Sequence, residues 1–106
     1  MSDITLDRFR RAAQELDGSV LPTLHRAERF AVRVHSDGSG VEYTPLSTGK
    51  ARTQSWEYVE RVLKQYNSSH SLHPGEYKDI TNHASYTLTI VERIRRAGAS
   101  DDVTAR

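Results

Sequence analysis

The chain lacks cysteine, carries little net charge and has no long apolar run, and each absence excludes a class of protein or site. With no cysteine among 106 residues, disulfide bonds, thiolate nucleophiles and cysteine-based zinc sites are excluded. The 15 Lys and Arg residues nearly balance the 14 Asp and Glu residues, so a globally basic nucleic-acid binder is not indicated. No apolar stretch approaches the ~20 residues of a membrane helix, and we expect no signal peptide, because the first residues lack a basic region followed by an apolar one. We therefore expect a cytoplasmic protein without membrane contact.

The spacing of the apolar residues predicts a single α+β domain, a size that suits the chain length. An N-terminal amphipathic helix is followed by two runs of alternating apolar residues around a Gly-rich turn, which predict a two-stranded antiparallel β-hairpin. Three further helices with helix-turn-helix-like order then follow. The predicted elements are a helix over 3–16, the hairpin over 29–44, and helices over 54–66, 74–80 and 83–97.

Residues 1–98 are assigned to this domain, and residues 99–106 are expected to form a disordered tail after the helix stop at Gly98. A two-stranded ribbon is marginally stable alone. The hairpin must therefore pack on the helices, or pair with a further strand near 19–27 or on a partner chain.

A polar loop before the second predicted helix is the first candidate site. It contains two cations, one glycine and several hydroxyls, and we expect Ser47, Thr48, Gly49, Lys50 and Arg52 to bind an anion. A helix N-terminus offers free N–H groups, and the two cations would add contacts to a phosphate. The loop lacks the glycine and hydroxyl spacing of a Walker motif. The alternative is a solvated loop with ordinary helix capping.

The helices over 53–97 form the second candidate site, because their order is compatible with a helix-turn-helix whose last helix enters the DNA major groove. Polar side chains of these types can contact base edges or phosphates. The alternative is a packed helical core with a solvated face. The candidates on or near the exposed side of the last helix are Asn82, His83, Ser85, Thr89, Arg93 and Arg96.

Other chemistry is weakly indicated. His70, His73 and His83 lack the support of further ligands, so we expect no metal and no cofactor. No nucleophile elbow or triad motif occurs, and we expect no catalytic residue, although a pair that meets only in space is invisible in the sequence. Tyr43, Tyr58 and Tyr86 are expected to be partly exposed, where they would suit base stacking or a protein interface.

The leading hypothesis is a non-catalytic nucleic-acid-binding domain with DNA or RNA as its partner, acting in regulation or in a defence system. The near-neutral charge counts against it, since phosphate contacts drive such affinity. The alternative is a protein-interaction or assembly module that forms a homodimer through the hairpin edge.

Overall fold

A four-stranded sheet and three α-helices make up the chain in this computed structural model, which describes residues 3–24 and 28–104. The strands are β1 Val20–Pro22, β2 Arg29–Val34, β3 Gly40–Pro45 and β4 Arg52–Ser55. The helices are α1 Leu6–Glu15, α2 Trp56–Ser69 and α3 Ala84–Thr104, with a 3₁₀ helix at Pro74–Tyr77 between α2 and α3.

The sheet is an antiparallel meander with the strand order β1-β2-β3-β4. The predicted hairpin exists as β2 and β3, with Val32 opposite Tyr43. The prediction of a two-stranded sheet is wrong, because β1 pairs with the outer side of β2 and β4 with the outer side of β3. The α+β class is confirmed, and both hairpin edges are occupied within the chain.

The helices cover one face of the sheet. The apolar stripe predicted for the second long helix is confirmed, since Trp56, Val59 and the following members of the stripe are buried in α2. Phe9 of α1 meets the ring of Trp56 edge to face, with centroids 6.5 Å apart. The Asn67 side chain also binds the backbone of Ile4 through two hydrogen bonds of 3.0 Å. These contacts fasten α1 and α2 to each other.

The first half of α3 runs through the core. Leu88, Ile90 and Val91 are fully buried, and so is the polar Thr87 between them and the sheet. Burial on nearly every side leaves no face free to enter a DNA groove. The segment 70–83 with its 3₁₀ helix separates α2 from α3, so the helix-turn-helix-like order is also wrong.

The described backbone of α3 is helical as far as Thr104, well beyond the predicted end at residue 97. The division into a domain and a disordered tail at 99–106 stays a prediction. Within the described ranges, no helix has both the length and the apolar character that crossing a membrane requires.

Candidate anion-binding cleft

An open cleft of about 920 Å³ lies where the start of β4, the β1–β2 connection and the segment 73–86 meet. We call it the polar cleft. Thr23 and Glu28 line it from the β1–β2 connection, Arg52 from β4, and Lys78 from the segment after the 3₁₀ helix. Its volume lies within the roughly 300–1,000 Å³ that small-molecule sites in proteins occupy.

The wall at 73–83 is held in place by a buried tyrosine. Tyr77 is fully buried, and its hydroxyl donates a hydrogen bond of 2.6 Å to the backbone oxygen of Ser71. Burial raises the pKa of Tyr77, which keeps this donor protonated. The Gln65 side chain of α2 donates to the backbone oxygen of Glu76 at 2.5 Å. This wall is therefore attached to α2, although it is mostly irregular.

Positive charge predominates in the polar cleft. Neither Arg52 nor Lys78 forms an ion pair with any part of the chain in 3–24 and 28–104. Glu28 adds a carboxylate, which accepts a hydrogen bond of 3.1 Å from the Ser47 hydroxyl. The N-terminus of α3 also opens on the cleft, and the first N–H groups of a helix carry partial positive charge. Among the lining residues that the structure describes, two full positive charges and a helix end thus accompany one carboxylate.

His83 lines the polar cleft directly before α3. Its backbone N–H donates to Thr81 Oγ1 at 3.1 Å, and its ring lies near-parallel to Tyr86, with centroids 6.4 Å apart. Burial, and secondly the charge of Arg52, lower the pKa of His83 from its ordinary value of 6.5. The imidazole is therefore neutral at pH 7, and acts as an aromatic ring with one donor and one acceptor.

Four residues from the two predicted sites meet in this cleft. Arg52 comes from the loop, and Asn82, His83 and Ser85 come from the start of the last helix. The sequence placed them in separate sites, whereas the structure places them around one cavity. The helix predicted after the loop exists as α2, but it begins at Trp56 and not at residue 54, and the strand β4 lies between the loop and this helix.

The other loop residues lie outside the cleft lining. Ser47 and Thr48 are in the turn after β3, Gly49 closes it with a positive φ of 67°, and Lys50 is exposed just before β4. The hydrogen bond from Ser47 to Glu28 places this turn beside the cleft.

The remaining candidate residues of the last helix do not line the cleft. Thr89 is only 3% exposed, and its hydroxyl donates to the backbone oxygen of Ser85 at 2.8 Å. Arg96 donates to the buried carboxylate of Glu92 at 2.9 Å. Arg93 is exposed, and like Arg96 it lies more than about 10 Å along the α3 axis from Ser85 at 1.5 Å per residue.

Sequence reasoning missed Glu28 and Lys78, for which no local motif gives a signal. Their proximity to Arg52 results from strand pairing and from the path of 73–83. The expected exposure is confirmed for Tyr58 of α2, but it is wrong for Tyr43 and Tyr86, which are both buried in the core.

Within 3–24 and 28–104, no three His, Cys, Asp or Glu side chains are grouped so that they could hold a metal ion. No protein-family model matches the chain, and no curated protein or solved structure shows significant similarity to it.

Proposed function

We propose that the protein is a nucleic-acid-binding domain without catalytic activity, and that it contacts phosphate through the polar cleft. One observation carries this proposal. Arg52 and Lys78 face the same cavity as the N-terminus of α3, and neither cation is neutralised by an ion pair in the described chain. Arg offers a bidentate fork, Lys a point charge and the helix end its N–H groups, which together suit phosphate oxygens.

Lys50 favours a polymeric anion over a small one. It lies two residues before Arg52, so their Cα atoms are within about 7 Å of each other, and it is exposed outside the cleft lining. Positive charge thus continues from the cleft onto the turn after β3. A single small anion would contact only the cleft, whereas successive phosphates of one strand would contact both.

This mode of binding differs from that of a helix-turn-helix. Only the N-terminus of α3 would contact phosphate, and the rest of the first half of the helix would stay in the core. DNA or RNA as the partner, a role in regulation or defence and the cytoplasmic location stay predictions.

Fluorescence anisotropy with labelled single-stranded and duplex oligonucleotides at several salt concentrations tests the proposal. We expect salt-dependent binding, because released counterions contribute about 0.7 to the logarithmic slope per phosphate contact on single strands. Arg52→Ala combined with Lys78→Ala should lower the affinity at least ~10-fold and the slope by about 1.4.

Lys64→Ala is the matched control, since Lys64 is an exposed cation of α2 that does not line the cleft. It should bind as the parent does. No binding to any oligonucleotide at low salt, or equal binding by the parent and the cleft double variant, would refute the proposal.

The homodimer of the alternative hypothesis also stays a prediction. Because β1 and β4 occupy both hairpin edges, a dimer built by strand addition would have to use the outer edge of β1 or β4.

A further inference from the structure

A column of aromatic rings leads from the core into the polar cleft. Phe30 and Tyr43 of the sheet lie 4.8 Å and 5.4 Å from the ring of Tyr86, measured between centroids. Tyr86 in turn lies 6.4 Å from His83, with an angle of 29° between the ring planes. His83 is the last ring of the column and is half-buried, while the members behind it are buried.

His83 is half-buried and belongs to the cleft lining, so part of this residue is accessible from the cavity. Tyr86 covers one side of the imidazole, and His83 is part of the cleft lining. A planar ring entering the cleft would therefore extend the column by one member. Because burial and Arg52 keep the imidazole neutral at pH 7, its ring does not add a further cation to the cleft.

The neighbours of His83 supply hydrogen-bonding groups of the kind that recognise a base edge. Asn82 precedes it and is exposed, and Ser85 follows two residues later, with both lining the cleft. An amide offers donors and an acceptor together, and a hydroxyl offers either. The carboxylate of Glu28 adds an acceptor for an exocyclic amine.

The shape of the cleft favours an unpaired nucleotide. A cavity of about 920 Å³ has room for one base with its sugar and phosphate, whereas a base in a duplex stays stacked and paired outside it. Aromatic stacking together with phosphate contacts is the usual way in which proteins hold single strands.

We infer that the polar cleft holds one unpaired nucleotide, with its base stacked on His83 and its phosphate bound by Arg52, Lys78 and the N-terminus of α3. The inference rests on the proposed function and specifies which unit of the nucleic acid enters the site. It requires an aromatic ring at position 83 and a base on the bound nucleotide.

Two comparisons test the inference by anisotropy. A labelled single strand should bind more tightly than a strand of equal length that lacks bases, since base–aromatic stacking changes affinity by ~5- to 160-fold. His83→Ala should weaken binding of the normal strand by a similar factor and leave binding of the abasic strand nearly unchanged. His83→Phe keeps a ring and should bind within about 3-fold of the parent.

Competition by small molecules tests whether the cleft binds a free nucleotide as well as a nucleotide within a strand. A nucleoside monophosphate should displace the labelled strand at a lower concentration than either the nucleoside or inorganic phosphate. On adding the monophosphate, the ring protons of His83 should shift upfield in the NMR spectrum, which tests stacking in the unaltered protein.

The outcomes separate this inference from the proposed function. If normal and abasic strands bind equally and His83→Ala behaves as the parent, the nucleotide inference is overturned and the proposed function stands. If the monophosphate binds and no strand does, the site is one for free nucleotides and the proposed function is overturned. If neither binds, both are overturned.

Discussion

A buried chain of hydrogen bonds joins the sheet to α3. Its middle member is Thr87, and substitution of this residue disrupts both hydrogen bonds. The Thr87 hydroxyl donates to Gln54 Oε1 at 2.6 Å. Since a hydroxyl has one hydrogen, the Tyr43 hydroxyl must be the donor in its 2.8 Å contact with Thr87 Oγ1. Tyr43 and Thr87 are fully buried and Gln54 nearly so. Burial raises the pKa of Tyr43, so this donor stays protonated.

The magnitudes follow from which groups each substitution leaves without a partner. Tyr43→Phe removes one hydrogen bond and leaves Thr87 bound to Gln54, which should cost about 0.5–1.5 kcal/mol of unfolding free energy. Thr87→Val keeps the shape but leaves the Tyr43 hydroxyl and Gln54 Oε1 unpaired, at about 1–3 kcal/mol each. In the Thr87→Val background, Tyr43→Phe removes one of these unpaired groups and should stabilise the protein by about 1–3 kcal/mol.

Urea unfolding of the four proteins in this double-mutant cycle measures these differences, with Trp56, the single tryptophan, as the fluorescent probe. The decisive observation is that Tyr43→Phe should destabilise the parent but stabilise the Thr87→Val protein. If Tyr43→Phe destabilises the Thr87→Val protein as much as it destabilises the parent, the two hydroxyls are not coupled and the reasoning is refuted.

Four further predictions concern charge, pH and backbone space. Hydrogen bonds from arginines lower the pKa of buried Glu92, so Glu92→Gln should cost about 1–2 kcal/mol in urea unfolding at neutral pH, and this difference should vanish in acid. Arg52→Ala should raise the pKa of His83, measured by NMR titration, yet leave it below 6.5 because burial persists; an unchanged pKa contradicts this. Because the pKa of His83 is lowered in the folded protein, protonation of this residue should decrease the free energy of unfolding of the parent as the pH falls below 6.5. Gly40→Ala would place Cβ 2.3 Å from the backbone carbonyl oxygen of Gln54. The thermal midpoint of this variant should therefore fall by several degrees, whereas an unchanged midpoint refutes the clash.

Apolar periodicity predicted the elements whose inward side chains are apolar. The hairpin over 29–44 and the stripe of α2 are such elements, and both exist. β4 was missed because its buried inward residue is Gln54, so its residues read as a polar loop. β1 lies within the segment 19–27 that the sequence left as an alternative, and it was not assigned because three residues with a single buried side chain, Leu21, are too short to show a period. Both strands are recognisable only through their pairing with neighbours.

The residues of the candidate site were predictable only in part. Arg52 and Asn82 were selected because each stands beside a predicted helix start, and both line the cleft. Lys78 joins them only through the path of the segment 73–83, which no local pattern indicates. Thr89 was selected on the assumption that the last helix has a solvated face, but the core encloses the first half of α3.

The central claim is that nucleic acid binds in the polar cleft, and NMR mapping of a single-stranded oligonucleotide on isotope-labelled protein tests it most directly. We predict that the largest shift changes occur at Arg52, Lys78, His83 and Ser85, with small changes on the exposed face of α1. Changes confined to surfaces away from the cleft, or no changes at low salt, would contradict the claim.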